Sequence, residues 1–384
     1  MASPLTQPPS ERASLGALAR YFTWLGFTGF GGPAAHIALM EEHCVRKRAW
    51  ISHQDFLDLL GASNLLPGPT STQLAMMLGH RLQGMAGLGV VGLAFILPAV
   101  GITLGLAWAN GIWGGLPAVQ HVLLGLKPVI VAIILHAVLS LGRTALKGWD
   151  LVFISVAALV AAWLGAGVMF VLLGAGLLHW MWRFPQHFSA RGLLFAAAPA
   201  GAVLPAALPP VLAPLSLDGL FWIFFRTGAL IFGGGTLLLA FLHDDLVVRL
   251  HWLTQAQLLD AIAVGQVTPG PVFTTATFVG YQLAGLAGAA AATAGIFLPA
   301  FLSVAIAGRW VPWLRRSPQA GAFLDGVIAA ALACMLWVGL QLGLATITGP
   351  WTLVLAGVAG LALLGRVPAL ALLAVGGVLG AFCA

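Results

Sequence analysis

Two stretches of the chain, "NLLPGPTSTQLA" (64–75) and "QVTPGPVFTTAT" (266–277), carry the same Pro-Gly-Pro turn followed by hydroxyl residues. A residue before a proline is pushed out of helical geometry, and proline itself suits the first turn of a helix. Each stretch therefore predicts a helix that stops, turns and restarts. The restart leaves backbone N–H groups without intrahelical partners, at the positive end of the helix dipole. Such an end is a natural anion site. The hydroxyls of Thr70, Ser71 and Thr72, and of Thr274 and Thr275, add donors there without adding fixed charge.

The surrounding composition says where these turns sit. The chain has 384 residues, of which 60% are hydrophobic and 7% charged. A soluble globular protein is roughly a quarter charged. Apolar runs at 87–109, 129–141, 151–163 and 284–307 alternate with short charged knots. Only helices and closed barrels satisfy their backbone in hydrocarbon, and the strict alternation of a barrel strand is missing. The fold class is thus all-α, a polytopic membrane protein. Residues 1–14 read as a polar tail, with no cleavable leader pattern. The net charge of +6 fits cationic helix ends at a membrane and not nucleic-acid binding. Cys44, Cys334 and Cys383 stand far apart, which gives neither a disulfide framework nor a metal signal.

The chain is also written twice. "EEHCVRKRAWISHQDFLD" (41–58) resembles "HDDLVVRLHWLTQAQLLD" (243–260). Trp50 and Trp252, Asp58 and Asp260, Pro67 and Pro269, and Pro69 and Pro271 keep an offset of 202, and Gly79/Gly280, Gly87/Gly288 and Pro98/Pro299 one of 201. The copies are residues 15–185 and 217–384, joined by a Pro/Ala-rich connector at 186–216. Two copies fit the transporter plan, in which repeats, often inverted, enclose a midplane site between broken helices. The loop at 41–50 holds Arg46, Lys47 and Arg48, whereas its twin holds only Arg249. The positive-inside rule then hints that the copies are inverted.

Within each copy the first apolar segment is interrupted. Gly29-Phe-Gly-Gly-Pro33 breaks 17–40, and Gly233 and Gly234 mark the same place in the second copy. Residues 52–66 are too short and polar for a span and read as a re-entrant or interfacial helix, with Ser52 and Asp55 in a capping-box-like arrangement. The two Pro-Gly-Pro turns, Pro67-Gly68-Pro69 and Pro269-Gly270-Pro271, then aim two half-helix starts at one pocket for a small oxyanion. The plainer alternative is a simple turn whose hydroxyls bond back to their own helix. Recurrence in both copies favours the pocket.

These residues also carry a family resemblance. "GFTGFGGPAAHIALMEEHCVRKRAWISHQDFLDLLGASNLLPGPTSTQLAMMLGHRLQGMAGLGVVGLAFILPA" resembles the signature region of the chromate ion transporter family, and the second half resembles its C-terminal copy. The family motif falls on Gly31, Gly32, Pro33, His36, Glu41, Arg48, Trp50, Pro67, Gly68, Pro69, Thr72 and Gly79. In the second copy it falls on Gly233, Gly234, Trp252, Pro269, Gly270 and Pro271, with departures at Gly235 and Asp244. The resemblance implies export of chromate from the bacterial cytoplasm through the inner membrane, driven by the proton gradient or membrane potential, with chromate resistance as the outcome. Sulfate, alike in shape and charge, is the implied competitor or alternative substrate, and the alternative function is a transporter or passive channel for sulfate or another small oxyanion.

Ionisable residues inside apolar segments are functional candidates by default. Lys127 and Arg226 are suited to neutralising a dianion, and Asp325 to pairing with one of them or carrying a coupling proton. Snorkelling at a helix end is the alternative for both cations. His36, Glu41, Glu42, Arg48 and Asp244 are candidates for coupling or gating. No nucleotide fingerprint and no cluster of metal ligands is present, which leaves no expectation of a cofactor, a metal or an enzymatic reaction. The partners expected are the oxyanion, the lipid bilayer and a second copy of the chain, and an Ala/Gly-rich surface such as 284–295 is suited to packing within the chain or between chains.

Overall fold

A computed structural model describes residues 13–185, 215–231, 237–307 and 317–383. The protein is helical, and no strand occurs among the described residues. Four helices there are long and apolar enough to cross a membrane. Large apolar side chains such as Leu97, Leu139, Phe153, Leu344 and Leu361 are exposed, as lipid-facing helices require and a soluble monomer rarely shows. The chain is a multi-pass helical membrane protein.

It divides into two compact units, and each draws on both sequence copies. The first contains the described residues of 1–115, 220–235 and 264–311; the second contains those of 116–219, 236–263 and 312–384.

In the first unit, α1 (Leu15–Thr28) starts at Ser14, whose hydroxyl accepts from the Ala17 N–H. Leu18, Tyr21, Phe22 and Leu25 repeat at helical spacing and are buried. The helix stops where Gly29-Phe-Gly-Gly interrupts it. Gly31, at φ 100°, starts α2 (Gly32–Met40), with Pro33 inside its first turn. After a π-helical turn (Glu41–Lys47), α3 (His53–Ser63) is capped by Ser52. That hydroxyl accepts from the Asp55 N–H at 3.0 Å and donates to the Asp55 carboxylate at 2.7 Å.

The longest helix, α4 (Thr70–Trp113), is two helices. Gln83 and Gly84 leave helical geometry, Gly84 at φ 62° and ψ −151°, a region open essentially to glycine. A Cβ on Gly87 would sit 2.0 Å from the Gly79 carbonyl oxygen, so the two arms fold back against each other. The first arm, 70–82, is about 20 Å long. It falls short of the roughly 30 Å hydrocarbon core and is a half-helix. The second copy repeats the device. After a 3₁₀ turn (Val272–Thr274), α11 (Thr275–Ala307) breaks at Ala284 and Gly285, with Gly280 against Gly288. The Ala/Gly-rich stretch 284–295 turns Gly288, Ala289, Ala292 and Gly295 inward, so this face packs within the chain.

The second unit holds α5 (Pro117–Ala145), α6 (Trp149–Trp163), α7 (Val168–Arg183) and α9 (Leu237–Leu242). It also holds most of α10 (Gln255–Val267), α12 (Pro318–Thr346), α13 (Pro350–Leu364) and α14 (Ala369–Cys383). Small residues set its seams. A Cβ on Gly125 of α5 would lie 2.1 Å from the Gly376 carbonyl oxygen of α14, and one on Gly326 of α12 would lie 2.5 Å from the Ala175 carbonyl oxygen of α7. These are the same contact in the two copies, exchanged between them. Backbones approach this closely in membranes only through glycine and alanine. The remaining helix, α8 (Leu217–Leu230), opens the second copy as α1 opens the first.

The glycines of α4 give a direct test. Gly87→Ala should overlap the facing backbone and cost about 2 kcal/mol or more. Gly89→Ala, two residues on and with open space around it, should gain about 0.5–1 kcal/mol from helix propensity. Thermal melts of the purified variants in detergent separate the two outcomes.

Candidate functional site

Both Pro-Gly-Pro turns lie in the first unit, and each is tied to the other copy. The Gly68 N–H donates to the Ile231 carbonyl at 2.7 Å, and the Gly270 N–H donates to the Gly29 carbonyl at 2.8 Å. Gly29 and Ile231 end the helices that the glycine motifs interrupt, α1 and α8. The two bonds are therefore one interaction made twice, reciprocally, with both donor and acceptor offset by 202 residues. Both turn glycines need positive φ, 131° at Gly68 and 87° at Gly270. Space demands them too: a Cβ on Gly270 would lie 2.7 Å from that of Ala99. Gln73 closes the first turn by donating from Nε2 to the Pro67 carbonyl at 2.6 Å and to the Ser303 hydroxyl at 3.2 Å.

The half-helix starts differ. In the first copy α4 follows Pro69 with no side-chain cap, and Thr70, Ser71, Thr72 and Gln73 are all buried. The Thr72 hydroxyl and the Gln73 Oε1 have no hydrogen-bond partner. Ser71 lies 3.3 Å from His36 Nδ1, while His36 Nε2 lies 2.8 Å from the Gly29 carbonyl. A neutral imidazole satisfies both, Nε2–H donating to the carbonyl and Nδ1 accepting from Ser71. His36 thus joins the first helix break to the first half-helix. In the second copy the hydroxyls turn back onto their own backbone. Thr274 donates to the Pro271 carbonyl at 2.9 Å and Thr275 to the Val272 carbonyl at 2.8 Å. The plainer alternative from the sequence describes these two, whereas Thr72 keeps a buried donor free.

The remaining candidates separate. Gly31 and Gly32 lie in the first unit at the start of α2, both at positive φ. Gly233 and Gly234 lie outside the described residues. Arg226 is half-buried on α8 in the first unit. Glu41 accepts from Arg46 at 3.1 Å and lies 3.5 Å from His53, and Glu42 faces Arg46 and Lys47 at 3.9 and 3.7 Å. Arg48 makes no ion pair among the described residues. It shares with Arg20 a pocket of about 450 Å³ lined by Tyr21, Trp24, His43 and Trp50. The His43 ring stacks on Tyr21 at 3.8 Å. Burial, then the charges of Arg48 and Lys47, hold His43 below the ordinary histidine value, so it is neutral at pH 7.

Lys127, Asp244 and Asp325 belong to the second unit. Lys127 Nζ lies 3.1 Å from Oδ1 of Asp260, both side chains largely buried, so Lys127 pairs with Asp260 and not with Asp325. Asp260 was missed as a site residue, although its offset from Asp58 was plain in the sequence. Asp325 lines a pocket with Arg183. Asp244 accepts the Val168 N–H at the start of α7, at 3.2 Å. Cys44 and Cys334 are buried free thiols, and no cluster of three metal-ligating side chains occurs among the described residues.

Comparisons with known proteins identify the family. The family model described as "Chromate transporter" matches residues 16–180 and again 219–381, once in each copy. A chromate transport protein of Cupriavidus metallidurans is 36% identical over 347 residues, covering 86% of this chain and 85% of its own. A chromate transport protein of Pseudomonas aeruginosa is 33% identical over 336 residues, covering 85% and 79%. A probable chromate transport protein of Synechococcus elongatus is 32% identical over 328 residues, covering 83% and 82%. No solved structure matches the chain significantly. With the family pattern present twice and spanning nearly all of both copies, the chain belongs to the chromate transporter family.

Proposed function

We propose that this protein is a secondary active transporter that exports chromate from the cytoplasm through the bacterial inner membrane and so gives chromate resistance. The observation that carries the reading is the reciprocal pair of bonds Gly68–Ile231 and Gly270–Gly29. It brings two broken helices and two half-helix starts into one unit, with an unpartnered buried hydroxyl at Thr72. Helix starts and hydroxyls recognise a tetrahedral dianion by charge and shape, with no counter-cation and no change in its oxidation state. The three named chromate transport relatives support chromate as that dianion.

On this reading Thr70, Ser71 and Thr72 form the polar face of the anion site, with Arg226 as its fixed charge. Thr274 and Thr275 contribute their backbone helix start instead of their hydroxyls. Arg20 and Arg48, which make no ion pair among the described residues, raise the local concentration of dianions at the protein surface. The copies are inverted in the membrane, so the site is reached from either side in turn. Lys127, paired with Asp260 in the second unit, is a cation of the transport path. Sulfate shares shape and charge with chromate and competes for the same site.

The test is radiolabelled chromate uptake into inside-out vesicles, with and without an imposed proton gradient and membrane potential, and with excess sulfate. Energised accumulation inhibited by sulfate is expected. Flux that only equilibrates would make the protein a passive channel. Thr72→Val should raise the KM for chromate about tenfold, equivalent to ~1.4 kcal/mol, while Thr274→Val should change it less than twofold. Equal, small effects would remove the Thr72 hydroxyl from the pathway.

The ion pair is tested separately. Lys127→Met or Asp260→Asn alone should cost about 3 kcal/mol by stranding a buried partner. The double variant Lys127→Met/Asp260→Leu should recover most of that stability yet fail to accumulate chromate. Wild-type accumulation by the double variant would reduce the pair to a structural contact.

A further inference from the structure

His179 stands on α7, buried in a seam of small residues against α12. Its counterpart in the second copy is Gly380, since Gly326 meets Ala175 and His179 as Gly125 meets Gly376 and Gly380. Asp150, at the start of α6, has Thr352 as its counterpart. The fold therefore builds this seam without a polar pair in one copy and with one in the other. An ionisable residue placed within an apolar helix bundle is costly and calls for a function.

The hydrogen bonds of His179 define its protonation. Nδ1 lies 2.6 Å from the Ala322 carbonyl oxygen and Nε2 lies 3.1 Å from Asp150 Oδ2. Both neighbours are acceptors, and a neutral imidazole has only one N–H. Either the ring is an imidazolium facing a carboxylate, or it is neutral and Asp150 donates to Nε2. In both cases the pair holds one proton more than a neutral imidazole beside a carboxylate. If that proton leaves, one of the two short contacts places a lone pair against an oxygen, and the seam must shift. Ala322, which binds the ring, also lines a pocket of about 340 Å³ with Arg183, Gly321 and Asp325. The charged groups on the elements packed against the pair at this end are Arg183 on α7 itself and Asp325 on α12, while Asp244 sits at the far end of α7, on the Val168 N–H.

We infer that His179 and Asp150 form the proton-binding site that couples transport to the proton gradient. The inference rests on the proposed function and assigns its coupling step. One proton bound between the two side chains stabilises the α6–α7–α12 packing. Its release to the Arg183–Asp325 pocket loosens the Ala322 contact, and the proton gradient supplies the free energy by favouring the protonated packing on one side of the membrane and the deprotonated one on the other. Asp325 then serves as a neighbour of the proton path and not as the carrier.

Two measurements test this. In protein labelled with ¹⁵N-histidine, the His179 signals, assigned by their loss in His179→Gln, should report a proton shared with Asp150 at neutral pH. Asp150→Asn should collapse that signature. A singly protonated ring insensitive to Asp150→Asn overturns the inference, whatever the transported ion. In vesicles, His179→Gln should retain chromate counterflow, which needs no gradient, and lose at least tenfold in gradient-driven accumulation. Unchanged accumulation overturns it, as does loss of counterflow in a variant that melts like wild type. Wild-type protein that moves no chromate would instead overturn the proposed function and leave the ring titration to decide the proton site.

Discussion

Every helix end leaves backbone groups without partners, and hydrocarbon offers none. A membrane protein that breaks its helices must satisfy each break within itself. Here the carbonyl that ends one copy's first helix, Gly29 or Ile231, takes the turn N–H of the other copy, Gly270 or Gly68. The Gly29 carbonyl also takes the His36 Nε2–H of its own copy, but each turn N–H is closed by the other copy. That requirement fits a Pro-Gly-Pro turn that occurs twice with a left-handed glycine at its centre, and a first compact unit that draws on both sequence copies. A one-copy chain would carry an open turn N–H in the membrane unless a second chain supplied the acceptor.

The rest of the scaffold repeats the exchange with small residues. Gly79 against Gly87 and Gly280 against Gly288 let each half-helix fold back on its long arm. Gly125 against Gly376 and Gly326 against Ala175 seat α5 on α14 and α12 on α7. In lipid, apolar side chains gain little by leaving one apolar surface for another, so close backbone approach is what holds helices together. The helix caps follow the same duplication: Ser52 with Asp55 in one copy and Thr254 with Gln257 in the other. Ala49 and His251, both at positive φ, follow two matching π-helical turns, Glu41–Lys47 and His243–Arg249.

Much of this was legible because the signals were local. Proline before a hydroxyl run marked the start of α4, a Gly-Gly-Pro step marked the break before α2, and Ser-x-x-Asp marked the cap of α3. The constant offset made the second copy readable from the first. The reversal at Gln83–Gly84 was not legible. Its glycine sits among others, at 79, 87 and 89, and nothing local distinguishes a hinge from a packing contact. The partner of Lys127 was not legible either, because Asp260 is distant in sequence and only the fold brings it to 3.1 Å. His179 carried no signal in the sequence. Only the positions of two acceptors around its ring, one on α6 and one on α12, separate it from the other histidines.

The two copies share a frame but not a chemistry, and the difference bears on direction. A protein of two equivalent halves has two conformations of equal energy, and a ligand with equal affinity for both shifts nothing. On the proposed function, groups that differ between the copies are where a bound ligand can favour one conformation over the other. In the first copy these are the free Thr72 hydroxyl, the His36–Ser71 link and the His179–Asp150 pair. In the second copy, Thr274 and Thr275 are closed onto their own backbone, Gly380 replaces His179, and Arg226 stands where the first copy has Trp24. The copies thus share a backbone frame and offer a proton or an anion different partners.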